Sequence, residues 1–229
     1  MSSIKYMVWL TCVVEVPMDD KLSFTRPSVT FWWALFLLPT HANASNNFNY
    51  NYLYADLAAG SFNDDLGTNS SVTSLAVGGK RIVEDQILAT IDYEARFIHP
   101  NDNTTTENYS LLPGMALSYS LEDKWDIIAG VKIGYVWSSK TNDKTDEKLF
   151  SDNDFMWGCG ISLKYEVNQD WQISLTGELR RSDVLDEDIF NMRAGYKINE
   201  MFVIAGLYTH KNYGETTTNE MGISLKYMY

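Results

Sequence analysis

Only two cysteines occur in the 229 residues, Cys12 and Cys159, so no disulfide framework is expected and no cysteine pair stands at metal-ligand spacing. Runs of about 18 apolar residues, the length a spanning helix needs, are missing too. That excludes a helical membrane protein but not a β-barrel, whose strands alternate and so never read as continuously apolar. Clusters of Lys and Arg are also lacking, and the net charge is -12. A nucleic-acid partner is therefore excluded, since phosphate binding needs grouped cations. There is no Gly-rich phosphate loop, and of the three histidines only His99 and His210 lie beyond the first 44 residues. Cofactor and metal motifs are absent from the sequence.

What the sequence does contain is a period of two. In the last ten residues Met221, Ile223, Leu225, Tyr227 and Tyr229 share one side of an extended strand, and Glu220, Gly222, Ser224 and Lys226 share the other. The hexapeptide Gly222 to Tyr227 recurs as Gly160 to Tyr165, and Gly114 to Tyr119 follows the same pattern of sizes and polarities.

Residues 1–44 differ in character. Lys21 and Arg26 precede the apolar run Val29 to Leu38, and Ala42-Asn43-Ala44 follows. This is the charged, apolar and small-residue order of a secretory signal, with cleavage after Ala44 and a mature chain from Ser45. Residues 1–17 add an apolar stretch that a signal does not need, which makes them a dispensable extension and Met18 a candidate start.

Residues 45–229 form one domain in which tight connections alternate with longer polar ones. The tight connections are centred on Glu84-Asp85, Glu122-Asp123, Gln169-Asp170 and Asn199-Glu200; the long ones span Phe62 to Ser70, His99 to Glu107, Thr141 to Asn153, Ser182 to Asp188 and Gly214 to Asn219. About ten strand-length segments lie between them, each near the roughly 9 to 11 residues of a tilted spanning strand. An even count puts both termini on one side.

Along these segments the apolar face has aromatic ends and an aliphatic middle, the order that headgroups and hydrocarbon select. Trp125, Trp137, Trp157, Trp171 and Phe202 are the candidate interface aromatics. The opposite face carries Asp92, Glu94, Arg96, Lys132, Lys164, Glu166, Glu178, Arg180 and Arg193 among glycines and serines, and these are candidates for ion pairs in a narrow wet lumen. A soluble sandwich also alternates, but its outer face needs neither aromatic ends nor a balanced, glycine-rich charged face opposite. Phe48 to Ala59 and Phe202 to His210 are apolar on both sides, and alternation alone leaves their facing open. The fold expected is an all-β, antiparallel, up-and-down transmembrane barrel.

The signal ending Ala42-Asn43-Ala44, the tight-turn and long-loop alternation, the aromatic belts and the closing Ile223 to Tyr229 resemble the small outer-membrane β-barrel proteins of Gram-negative bacteria, of which the OmpA transmembrane domain and OmpX-type barrels are the nearest kinds. The resemblance implies an outer-membrane location with periplasmic termini, and as partners outer-membrane lipid, lipopolysaccharide and the assembly machinery. It also implies that Ile223, Leu225, Tyr227 and Tyr229 act as the assembly signal, with Tyr at the end where Phe is more usual. The closest kinds have eight strands, so eight and ten both stand.

For function, the sequence favours a non-enzymatic structural or surface-interaction barrel, adhesion-like, with an unidentified extracellular partner. A small pore is one alternative. A rim enzyme of the protease or lipid A deacylase type is another, resting on His99 and His210, although neither has an Asp-x-His or His-x-Ser neighbour pattern. The acidic loop residues Asp64, Asp65, Asp143, Asp146, Glu147, Asp186, Glu187 and Asp188 suit a solvated surface, or cations bridging to lipopolysaccharide.

Overall fold

The computed structural model describes residues 48–62, 71–99, 103–213 and 216–229. The expected signal segment and extension lie outside the described residues, as do Asp64 and Asp65. Period-two patterning becomes ten described strands: β1 (Tyr52–Phe62), β2 (Val72–Glu84), β3 (Ile87–Ile98), β4 (Thr104–Glu122), β5 (Trp125–Asn142), β6 (Glu147–Glu166), β7 (Trp171–Arg181), β8 (Glu187–Lys197), β9 (Phe202–Tyr213) and β10 (Thr216–Met228). Each pairs antiparallel with its sequence neighbours, and β1 pairs with β10 to close the barrel. Closure leaves no sheet edge around the wall, which a membrane requires because hydrocarbon offers no hydrogen bonds to an open edge. Of the two strand counts left open, ten is the one found.

The tight turns at 85–86, 123–124, 167–170 and 198–201 lie at one end with Phe48 and Tyr229, the first and last described residues, and the described strands meet their other connections at the opposite end. These are called here the turn end and the loop end. Asp85 takes a positive φ of 36°, a conformation an Asp tolerates better than most residues.

One expected long loop is instead a hairpin. The stretch Thr141 to Asn153 continues β5 to Asn142 and starts β6 at Glu147, leaving four residues to turn. The Asn142 side-chain oxygen accepts from the backbone N–H groups of Lys144 and Thr145, an Asx turn that closes the chain on itself. Above Trp157, the first β6 residue paired with β7, β6 pairs only with β5, so β5 and β6 with the start of β4 form a ribbon rising beyond the rim. A second correction concerns Glu187, read as a loop residue: it opens β8 and is 2% exposed.

Outward side chains along the wall are large and apolar, including Leu53, Leu57, Met115, Ile133, Met221 and Ile223, each more than half exposed. In water this would be a large sticky surface; in a bilayer it is the lipid contact. Inside, Phe48, Tyr50, Tyr52, Leu88, Ala116 and Ile128 form an apolar cluster at the turn end, with Phe48 and Tyr50 contributed by the lead-in to β1. Leu112, Val136 and Met156 form a second, packed against Val184 and Leu185 of the β7–β8 connection.

Candidate functional site in the barrel interior

Alternation places every second residue of each strand inside, and the charged ones among them meet in layers. Nearest the loop end, Arg96 on β3 donates to Glu187 on β8 and to Glu220 on β10, both at 2.9 Å, and to Thr218 at 2.7 Å. Both charged partners are about as buried as the arginine, whose side chain is 2% exposed. Ser74 donates to Glu220 at 2.6 Å, and the Arg96 guanidinium lies 4.8 Å from the Tyr213 ring centroid. Arg180 on β7 bridges Glu94 at 2.8 Å, Glu178 at 2.7 Å and Glu187 at 3.5 Å, while Lys211 on β9 also holds Glu94.

The middle layer centres on Lys132, which donates to Asp92 at 2.8 Å and Glu178 at 2.7 Å. Its path crosses Gly114, paired with Lys132 on one side and Thr90 on the other. A Cβ there would stand 2.4 Å from the Val131 carbonyl oxygen and 2.8 Å from Lys132 Cγ, so only glycine leaves the passage open. Tyr54 donates to Asp92, and Arg193 holds Asp56 with both terminal nitrogens, at 3.0 and 2.5 Å. Ions removed from bulk water are costly unless paired and hydrogen-bonded, and in these two layers Asp56, Asp92, Glu94, Glu178, Glu187 and Glu220 each meet at least one cation from a non-adjacent strand.

Asp92, Glu94, Arg96, Lys132, Glu178, Arg180 and Arg193 therefore share the interior. Lys164 and Glu166 do not join the ion pairs. Lys164 is buried among the rings of Phe48, Tyr50 and Tyr52, its Nζ 4.2 Å from the Tyr50 centroid. The carboxylate at its level, Asp126, accepts instead from Tyr50 at 2.6 Å and Ser120 at 2.7 Å. Glu166 ends β6 beside the turn, opposite Gln172 on β7, and its backbone N–H donates to the Lys124 carbonyl at 3.0 Å. Four interior ion-pair residues were not among the candidates: Asp56 and Lys211, together with Glu187, read as a loop residue, and Glu220, read only as part of the polar face of the last strand. Parity was the available signal for Glu187, which shares its side with Asn191 and Arg193.

Of the interface aromatics, Trp125 stacks on Tyr165 with centroids 4.2 Å apart, Trp171 meets Tyr196 at 5.2 Å and Phe202 meets Tyr227 at 5.4 Å, all at the turn end. Toward the loop end Trp137 stacks on Tyr135 at 6.2 Å, and Trp157 is partly buried opposite Ile133. Along β5 the eleven residues from Trp125 to Tyr135 span roughly 25 Å at a barrel strand's usual tilt, the height of an outer-membrane apolar band.

His210 lies on the outer face of β9, where its Nδ1 is 2.8 Å from Asn219 Oδ1. Among the described residues neither histidine ring is joined to a serine or carboxylate. Nor is any group of three or more His, Cys, Asp or Glu disposed to hold a metal ion among them.

Residues 31–229 match the family described as the outer membrane protein beta-barrel domain. The chain belongs to that family. As a member of the outer membrane protein beta-barrel domain family, it is a protein of the Gram-negative outer membrane. Solved structures similar to it include Neisserial surface protein A, at 14% identity, TM-score 0.44 and cover of 78% of this chain and 96% of that one. The attachment invasion locus protein Ail of Yersinia pestis matches at 8% identity and TM-score 0.39, over 79% of this chain and 99% of that one. The N-terminal β-barrel domain of Pseudomonas aeruginosa OprF matches at 11% identity and TM-score 0.37, over 79% and 100%. No curated protein matches the sequence.

Proposed function

We propose that this outer-membrane barrel is closed to bulk solute flow and serves as a scaffold for surface contact, with its termini in the periplasm and its loop end outward. The observation that carries the reading is the ribbon of β5 and β6: residues 147–153 of β6 are exposed, Leu149 and Phe150 by 51% and 46%, and one edge of that stretch has no strand beside it. An exposed edge offers a row of backbone donors and acceptors, and apolar side chains on it add contact area for an extracellular protein. The charge-filled interior supports the closed bore, since its ion pairs join strands on opposite walls. Asp143, Asp146, Asp186 and Asp188 at the loop end suit cation-bridged contact with lipopolysaccharide phosphates. Ile223, Leu225, Tyr227 and Tyr229 on the outer face of β10 suit reading by the assembly machinery.

The test replaces residues 139–151 with a two-residue turn and measures adherence of whole cells to surface-coated extracellular proteins. Loss of adherence with an unchanged heat-dependent gel shift supports the reading. Retained adherence to every protein that the unaltered barrel binds would overturn it. Single-channel recording in planar bilayers tests closure, and steady conductance by the unaltered protein would favour a pore instead.

A further inference from the structure

Three lysines at the turn end remain outside the ion pairs. Lys80 on β2, Lys164 on β6 and Lys226 on β10 make no ion pair or hydrogen bond among the described residues, and Lys164 and Lys226 are 6% and 8% exposed. They converge. Lys164 Nζ is 5.4 Å and Lys226 Nζ 5.2 Å from the centroid of the same Tyr52 ring, and Lys80 is the β2 partner of Tyr52. Asp126 is engaged by Tyr50 and Ser120, and the next cation up the bore, Arg193, is engaged by Asp56. All three lysines line the lower part of a cavity of about 170 Å³, together with Ser174, which faces Lys164 across the β6–β7 seam; the same cavity runs up the bore to the ion-paired Asp92, Glu178 and Glu94.

Ring faces attract ammonium groups but do not neutralise them, and three like charges around one narrow cavity repel. An anion between them would reverse both costs at once. We propose that this cavity is a binding site for a small dianionic oxyanion, a phosphate or a short dicarboxylate, held by Lys80, Lys164 and Lys226. The volume admits a handful of water-sized bodies, which limits the ligand to a few heavy atoms beyond its charged groups. The inference goes beyond the surface role and stands or falls separately from it. The apolar cluster of Phe48 and Tyr50 lies below the three lysines.

Equilibrium dialysis of the folded barrel in non-ionic detergent against radiolabelled inorganic phosphate, with succinate as competitor, tests the site. Saturable one-to-one binding is expected, weakened at least tenfold by Lys164→Gln or Lys226→Gln and unchanged by Lys197→Gln at the exposed end of β8. Competition by succinate identifies a dicarboxylate-tolerant site, and its failure a phosphate-selective one; both support the proposal. The heat-dependent gel shift checks folding, and the less buried Lys80→Gln serves if the other two fail to assemble. Phe48→Ala, which thins the lower barrier, guards against a merely slow approach to equilibrium. Absence of saturable binding of either anion to that variant, or binding indifferent to all three lysines, would overturn the proposal.

Discussion

Lys132 shows how one missing side chain fixes a long-range contact. Because Gly114 leaves the wall bare between β3 and β5, the ammonium reaches Asp92 two strands away, and Glu178 closes on it from β7. Lys132→Met leaves two carboxylates without that partner in a wet interior and is expected to cost about 1–2 kcal/mol in urea unfolding in micelles. A double-mutant cycle with Asp92→Asn should show positive coupling, as should one with Glu178→Gln; additive effects in both would mean the lysine is solvated. Gly114→Ala puts a methyl against the Val131 carbonyl and is expected to cost about 1–3 kcal/mol by overpacking, measured the same way. Arg96→Met is the harsher case, on the order of 3–5 kcal/mol, since Glu187 and Glu220 are almost fully buried. The inward facing of these residues was legible from parity alone. Their partners were not, because alternation states which side a residue takes and says nothing about which strand stands across the bore.

At the scale of elements, the strands with one polar face were readable and those with two apolar faces were not. β9 turns Val203, Ala205 and Leu207 inward and Ile204 and Tyr208 outward, and β1 turns Tyr52 and Tyr54 inward, where hydroxyls and rings serve the charged layers. Tyrosine suits either side of such a wall, so its presence settles no facing. The lead-in to β1 belongs to the interior for the same reason: Tyr50 reaches Asp126 on β5 while its ring covers Lys164. Replacing Phe48 and Tyr50 together with alanine removes that lower barrier and is expected to raise the frequency of ion-conducting openings in planar bilayers above that of the unaltered barrel. An unchanged silent record would place the seal in the ion-paired layers instead. The β5–β6 ribbon escaped the sequence reading because its Asn, Asp, Thr and Ser residues are turn formers by composition, yet they pair across a hairpin whose lower half is anchored in the wall.

For the whole molecule, the β1–β10 seam is the last contact that makes the sheet a barrel, with Leu53 paired to Tyr227 and Leu57 to Ile223. Removing Tyr229, whose backbone N–H donates to the Asn51 carbonyl at 3.1 Å, is expected to lower the amount of heat-shifted protein in outer-membrane fractions and to leave exported chain open to periplasmic proteolysis. Unchanged surface levels would mean the terminal residue is not read during assembly. Arg96 adds a further consequence. Its hydrogen-bonded acidic partners come from β8 and β10, so a half-rolled sheet carrying β3 through β7 would hold the guanidinium without either carboxylate that it donates to. The arginine stands as a keystone: partial arches are unstable until the last stones arrive, so the wall is expected to go up, and come down, in a single step, seen as one urea transition shared by all probes.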